Sequence, residues 1–140
     1  MKIQTAQIRK LWKAACEVRE NAHAPYSEYF VGAALKTKNS PEIFTGCNVE
    51  NASFGATLCA ERTAITSAVS KLGRIMITDL VLVTKEPAPP CGMCLQVISE
   101  FSCSETRIYL ATAEEIFHTH NLSDLLPLQF SPKNLKTSHE

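Results

Sequence analysis

Three cysteines and one glutamate, in two short segments, have the residue types and spacing of a catalytic metal centre. One segment is Cys59-Ala60-Glu61 and the other is Pro90-Cys91-Gly92-Met93-Cys94. Three thiol ligands leave the fourth corner of a tetrahedral zinc open, which distinguishes catalytic zinc sites from closed structural ones. A nearby carboxylate that is not a ligand can then move protons for an attacking water. The two segments therefore predict metal-assisted hydrolytic chemistry.

The predicted helices explain how these thiols could meet. Cys59 opens one predicted helix, and Cys91 and Cys94 lie in the first turn of another, with the i, i+3 spacing that places both on one side. Helix N-termini carry partial positive charge and favour thiolates. Arg62 is a candidate to donate to a thiolate and offset the excess negative charge of three thiolates on one divalent ion. Its alternative is a surface salt bridge.

Two alternatives to a catalytic centre follow from the same residues. Glu61, the predicted proton shuttle, could instead be an exposed first-turn residue that suits the helix dipole. The thiols could instead form a closed structural site, which needs a fourth ligand. The conceivable fourth ligands lack the spacing of zinc fingers; they are Cys47, Cys103, His23, His118 and His120. His118 and His120 alternate onto one face of a predicted strand, and we interpret them as an exposed edge.

Hydrophobic periodicity predicts one mixed sheet covered by helices. The predicted helices span about 5–22, 59–71 and 92–101, with a helical turn at 122–126. The predicted strands span 29–36, 43–47, 80–83, 107–111 and 116–120, and residues 39–42 form a turn. Only residues 112–115 separate the last two strands, which is too few for a parallel crossover, so these two should be antiparallel.

Length and charge limit the classes of protein. With 140 residues, the chain should form one domain spanning 1–140, with a frayed polar tail at about 133–140. The formal net charge is zero, which disfavours a nucleic-acid partner. The N-terminal residues have no signal-peptide core, and no apolar run is long enough to span a bilayer.

Six cysteines without a secretion signal predict reduced thiols and a cytoplasmic location rather than disulfides. Three of the six belong to the metal segments. The others, Cys16, Cys47 and Cys103, are interpreted as small buried hydrophobic residues.

In these two segments and in several others, the chain resembles the small, single-domain cytidine deaminases of pyrimidine salvage. A Cys or His, a Glu two residues later and a following P-C-x-x-C is the signature of zinc-dependent base deaminases. The resemblance continues in Ala24-Pro25-Tyr26-Ser27, Val31-Gly32-Ala33-Ala34-Leu35, Gly46-Cys47-Asn48-Val49-Glu50-Asn51-Ala52, Arg62-Thr63-Ala64, Gln96-Val97-Ile98 and Leu125-Leu126-Pro127. It implies a three-layer α/β/α fold, with helices on both faces of a mixed five-stranded sheet. It also implies one zinc per chain and hydrolytic deamination of cytidine and 2′-deoxycytidine.

The resemblance also implies roles for particular residues. The positions matching Asn48 and Glu50 hold the sugar hydroxyls, and that matching Ala60 offers its backbone to the base. The position matching Tyr29 packs on the base or sugar. Members of the family are homotetramers with shared sites, and the position matching Phe130 reaches into one. Without the resemblance, Asn48 would be read as a turn former, Glu50 as a solvated acid and Phe130 as a core residue.

Departures from the family pattern concern substrate range. Tyr29-Phe30 stands where Phe-Pro is usual, Phe54 where Tyr is common, and Leu95 where Arg is common.

Two other functions stay open: deamination of a different aminated nucleoside, such as a nucleoside antibiotic, and a non-catalytic zinc-binding module. A nucleic-acid editor is disfavoured by the neutral charge.

Overall fold

A computed structural model describes residues 5–135. The helices are α1 (Ala6–Arg19), α2 (Ala60–Leu72), α3 (Gly92–Glu100) and α4 (Leu122–Leu125). The strands are β1 (Gly32–Thr37), β2 (Ser40–Cys47), β3 (Ile77–Val83), β4 (Arg107–Ala111) and β5 (Ile116–Asn121). Short 3-10 turns occupy Phe54–Ala56 and Pro132–Leu135. The predicted tail thus has a helical turn at its start, and its residues 136–140 lie outside the described part of the chain.

The five strands form one mixed sheet in the order β2-β1-β3-β4-β5. Strand β1 is antiparallel to both of its neighbours, β2 and β3. Strands β3 and β4 are parallel, with the α3 crossover between them. Strands β4 and β5 are antiparallel, as the short connection between them predicts. The mixed five-stranded sheet is therefore confirmed.

Side chains of the sheet alternate between two hydrophobic cores, one on each face. Ala33 and Leu35 of β1 belong to the core beneath α2 and α3, which also contains Ala64 and Ile98. Ala34, between them, belongs to the core beneath α1. Helices therefore cover both faces of the sheet, which confirms the three-layer α/β/α arrangement.

Two glycines allow the helices to approach the sheet closely. A Cβ atom at Gly46 of β2 would lie 2.4 Å from the backbone nitrogen of Ala64 in α2. A Cβ atom at Gly32 of β1 would lie 2.0 Å from the carbonyl oxygen of Ala15 in α1, on the other face. Both contacts are with backbone, which cannot rotate away. The first turn of α2 therefore packs directly against β2. This turn carries Cys59 and Glu61, two of the predicted site residues.

The helix ends follow from local chemistry. Thr5 caps α1 by accepting a hydrogen bond from the Ile8 N–H at 3.3 Å. Helix α2 ends at Gly73, whose φ of +74° suits a residue without a Cβ atom, and this confirms the predicted stop. Within residues 5–135, no helix combines the length and apolar composition that crossing a membrane requires.

Two strand boundaries differ from prediction at the first hairpin. The hairpin turns at Lys38 and Asn39, and β2 begins at Ser40, so the predicted turn at 39–42 is wrong. Pro41 is tolerated in β2 because this strand lies at the edge of the sheet, where a missing N–H leaves no neighbouring strand unpaired. Strand β1 begins at Gly32, because Tyr29 and Phe30 belong to an exposed loop rather than to the strand.

One residue of the same loop, Glu28, has a backbone conformation that is unfavourable for any residue with a Cβ atom. Glu28 has a φ of +55°, in the left-handed region, and its side chain is exposed. We expect Glu28→Gly to raise the free energy of unfolding by about 0.5–1 kcal/mol, because glycine adopts this conformation without steric cost. Urea unfolding measures the change. Glu28→Ala removes the same carboxylate but keeps the Cβ atom, so a gain of equal size in Ala would contradict the backbone explanation.

Candidate metal centre and catalytic cavity

Two helix N-termini bring the three thiols together. Cys59 is the N-cap of α2 and Cys91 the N-cap of α3, and neither side chain caps its own helix. Cys94 is buried in the first turn of α3. The three sulfur atoms lie within 4.8 Å of one another. Thiolates that share a tetrahedral zinc at 2.3 Å are about 3.8 Å apart, so this group fits such an ion after small side-chain shifts.

A hydrogen bond between two of the thiols shifts their pKa values in opposite directions. A hydrogen bond from the Cys94 thiol, aided by Arg62, lowers the pKa of Cys59. The same hydrogen bond to Cys59, together with burial, raises the pKa of Cys94. Of these two thiols, Cys59 therefore ionises more readily. A metal ion bound among the sulfurs would favour the thiolate form of all three ligands.

Arg62 places a positive charge beside the Cys59 sulfur. Its Nη2 atom donates to the Cys59 sulfur at 3.6 Å and to the Thr57 carbonyl oxygen at 3.1 Å. No ion pair joins it to a carboxylate of residues 5–135. The surface salt bridge considered as an alternative is therefore not the arrangement found. Arg62 links the loop before α2 to the thiolate at its first turn.

Glu61 lies beside the thiols as a buried carboxyl group. Only 4% of its surface is exposed, so it is not the solvated first-turn residue of the alternative interpretation. Burial, reinforced by the negative charge of Cys59, raises the pKa of Glu61 to about 7. Glu61 is also not a member of the sulfur group that could hold the ion. A carboxyl group whose pKa lies near neutrality is suited to accept a proton and return it.

A cavity of about 300 Å³ opens onto these groups. Its volume lies at the small end of the range for sites that bind organic molecules. Its lining unites most of the predicted site residues, which are Tyr29, Asn48, Glu50, Cys59, Ala60, Glu61 and Cys91. The lining also includes residues to which the sequence assigned no role, notably Ser27, Thr57 and Pro89. Ser27 stands in one of the resembling segments, but its residue type alone gave no signal of a function.

Asn48 holds the wall of the cavity through its side-chain amide. Its Oδ1 atom accepts from the Val31 N–H at 2.9 Å, and its Nδ2 atom donates to the Tyr29 carbonyl oxygen at 2.7 Å. These bonds fix the orientation of the amide. They leave one amide hydrogen and one lone pair of the side chain without a partner among residues 5–135.

Glu50 accepts hydrogen bonds from the loop that precedes β1. Its Oε1 atom receives the backbone N–H groups of Tyr26 and Ser27, each at 3.0 Å, and its Oε2 atom receives the Ser27 hydroxyl. The Ser27 hydroxyl is the largest of the effects that lower the pKa of Glu50. The carboxylate is therefore ionised and oriented rather than freely solvated.

Phe130 lies outside the cavity of its own chain. It does not line the cavity, and 56% of its surface is exposed, so it is not a core residue. Its carbonyl oxygen accepts from Gln96 Nε2 of α3 at 3.0 Å, which anchors this part of the chain. Leu95 occupies a position where the family commonly has Arg. Its side chain is buried in the core beneath α3.

No fourth protein ligand completes the metal group within the described residues. The candidates Cys47, Cys103, His23, His118 and His120 are all absent from the group of three thiols. His118 and His120 lie on edge strand β5 with ring centres 6.0 Å apart. A group of three thiols with one free coordination position is the arrangement of a catalytic rather than a structural zinc centre.

The α/β/α fold, the three-thiol group and the buried carboxyl together define the class of zinc-dependent hydrolytic deaminases. Residues 5–111 match the family model described as the cytidine and deoxycytidylate deaminase zinc-binding region, and the chain belongs to this family. It is 41% identical to a cytidine deaminase of Halalkalibacterium halodurans over 126 residues, 89% of this chain and 95% of the relative. Its identity with a cytidine deaminase of Sporosarcina psychrophila is 38% over 134 residues, covering 95% and 98%.

A solved structure agrees with these sequence relatives. The crystal structure of cytidine deaminase from Burkholderia pseudomallei superposes with a TM-score of 0.81 at 40% identity. The match covers 87% of this chain and 98% of that one. The sheet order and the helical layers described above are therefore those of a cytidine deaminase fold.

Proposed function

We propose that this protein catalyses the zinc-dependent hydrolytic deamination of cytidine and 2′-deoxycytidine, releasing ammonia. The observation that carries the proposal is that buried Glu61 and two members of the three-thiol group, Cys59 and Cys91, line one cavity. One zinc ion per chain would be held by Cys59, Cys91 and Cys94. When bound, zinc would supply Lewis-acid chemistry that makes water nucleophilic near neutral pH. The cytidine deaminases among the relatives support the choice of substrate.

Glu61 is the proposed carrier of protons in this reaction. It would take a proton from the attacking water and deliver it to the ring nitrogen N3 of the base. It would then pass a second proton to the departing amine. A C4–O bond forms, the C4–N bond breaks, and the products are the uridine analogue and ammonia. Burial of Glu61, which brings its pKa to about 7, matches both directions of transfer.

The other lining residues are proposed to hold the nucleoside. The spare amide hydrogen and lone pair of Asn48 and the carboxylate of Glu50 would bind sugar hydroxyls. Tyr29, at the rim, would pack on the base or sugar, and the Ala60 backbone would contact the base. Arg62, through its contact with Cys59, would reduce the negative charge of the metal group.

The charge of the cavity favours a nucleoside over a nucleotide. The family description includes both cytidine and deoxycytidylate enzymes. Among the described residues that line the cavity there is no Lys, Arg or His, and the two ionisable carboxyl side chains are Glu50 and Glu61. The adjoining cavity, lined by Tyr26, Ser27, Glu50, Phe54 and Thr57, likewise offers no cation. Within one chain, a 5′-phosphate would therefore meet a carboxylate and aromatic rings instead of a basic partner.

We also propose that the chain is a single cytoplasmic catalytic domain that assembles as a homotetramer with shared active sites. Exposed aromatic residues support assembly, because Phe54 and Phe130 are 71% and 56% exposed. Phe130 lies outside the cavity of its own chain and is free to reach a neighbouring one. All six cysteines are free thiols, which suits a reducing compartment.

We expect purified, zinc-loaded protein to release ammonia from cytidine and 2′-deoxycytidine but not from cytosine or adenosine. Deoxycytidine 5′-monophosphate should react with a kcat/KM lower by about 100-fold or more. Its phosphate would leave water without gaining a charged partner, which costs several kcal/mol of binding free energy. A coupled ammonia assay on all five compounds provides the measurement.

The same assay separates the competing functions. Equal rates with the nucleoside and its 5′-phosphate would contradict the charge argument. Activity confined to another aminated nucleoside would indicate the antibiotic-type deaminase. One bound zinc per chain without any turnover would indicate the non-catalytic zinc-binding module.

A further inference from the structure

One hydroxyl group connects two of the residues proposed to contact the nucleoside. The Ser27 Oγ atom donates to the Glu50 carboxylate and accepts from the Tyr29 N–H at 3.1 Å. An ionised carboxylate can only accept hydrogen bonds. The single hydroxyl hydrogen must therefore point to Glu50, and the lone pairs of the same oxygen are left for Tyr29. The direction of both bonds is fixed by chemistry.

Two polar contacts hold the backbone of Tyr29 in the loop between α1 and β1. The Tyr29 N–H donates to the Ser27 hydroxyl oxygen, and the Tyr29 carbonyl oxygen accepts from the Asn48 side-chain amide. Its side chain is 43% exposed and so gains little from core packing. The intervening Glu28 has the left-handed backbone noted above. The position of Tyr29 at the cavity rim is thus set mainly by polar bonds.

The two oxygens of Glu50 differ in what they have left to offer. Oε1 already receives two backbone N–H groups, from Tyr26 and Ser27. Oε2 receives only the Ser27 hydroxyl, so it retains the capacity to accept a hydroxyl from a ligand. Without the Ser27 hydroxyl, Oε2 would have no protein donor to set its direction.

From these contacts we infer that Ser27 is a positioning residue for the sugar end of the site. It orients Oε2 of Glu50 toward the cavity and fixes the backbone of Tyr29 at the rim. The inference rests on the proposed nucleoside-binding function. Ser27 acts through these two residues, so its removal should weaken binding of the nucleoside more than it slows proton transfer at Glu61.

The test compares Ser27→Ala with Ser27→Thr, which keeps a hydroxyl. We expect Ser27→Ala to raise KM for cytidine about tenfold or more, the loss typical of a hydrogen bond to a charged group, with kcat within about twofold. Ser27→Thr should restore most of the affinity. Thermal unfolding and zinc content should match the wild type in both variants, which excludes a merely structural effect.

A double-mutant cycle with Glu50→Gln provides the decisive control. If Ser27 acts through the Glu50 carboxylate, Ser27→Ala should raise KM by less than about threefold in the Glu50→Gln background. An unchanged KM in Ser27→Ala, or an equal increase in both backgrounds, would overturn the inference while leaving the proposed function intact. If the wild type releases no ammonia at all, the proposed function fails separately, and cytidine affinity measured by calorimetry in the same four proteins then decides the role of Ser27.

Discussion

Glu61→Gln is expected to lower kcat for cytidine by about 10²- to 10⁴-fold, the contribution typical of a positioned general acid–base, while one zinc per chain stays bound. An amide has nearly the same shape as the carboxyl but cannot take a proton from water. Glu61 is 4% exposed and lies outside the group of thiols, so the substitution should leave the core and the metal ligands in place. Steady-state kinetics and metal analysis of the same preparation provide the two measurements.

Two further variants make the result specific. Glu100→Gln removes one carboxylate from an exposed position of α3 and should change neither kcat nor KM. Glu50→Gln should act mainly on KM, because Glu50 lines the cavity and is proposed to bind the sugar hydroxyls. A Glu61→Gln protein that retains a tenth of the wild-type kcat would remove Glu61 from the proton-transfer role. Loss of zinc from that variant would instead indicate that Glu61 supports the metal ligands.

The parts of the site that sequence predicts well are those fixed by neighbouring residues. Cys91 and Cys94 share a helix turn, and Cys59 and Glu61 begin another, so local helical geometry already constrains both segments. The antiparallel pairing of β4 and β5 follows in the same way from a connection too short for a crossover. In these cases the spacing along the chain determines the spacing in space.

The parts that sequence predicts poorly depend on distant partners. Tyr29 and Phe30 have the β propensity of strand residues, yet they lie in a loop whose backbone is bonded to Asn48, 19 residues after Tyr29. The Ser27–Glu50 pair is 23 residues apart in sequence, and neither residue type reveals the other as its partner. The close approach of α2 to β2 at Gly46 is equally invisible, because a glycine in a strand has several possible causes.

Gly46→Ala is expected to impair the metal centre although Gly46 belongs neither to the thiol group nor to the cavity lining. The new Cβ atom would lie 2.4 Å from the Ala64 nitrogen and 2.5 Å from the Ala60 carbonyl oxygen, against 3.4 Å for ordinary contact. The first turn of α2 would have to move by about 1 Å, and a displacement of that size can cost about 100-fold in rate. Because this turn carries Cys59 and Glu61, we expect weaker zinc binding, a kcat lower by about 100-fold, and a loss of about 1–3 kcal/mol in unfolding free energy.

Gly32→Ala is the matched control, since it inserts the same methyl group on the opposite face of the sheet. Its Cβ atom would press on Ala15 and Arg19 of α1, a helix that carries none of the proposed site residues. It should destabilise the fold at least as much as Gly46→Ala while the folded protein keeps its zinc affinity. If Gly32→Ala does not fold, Leu11→Ala, which opens a cavity in the same α1 core, serves as the destabilised reference. Zinc affinities that fall equally in the control and in Gly46→Ala would show that general destabilisation, not displacement of the α2 first turn, governs metal binding.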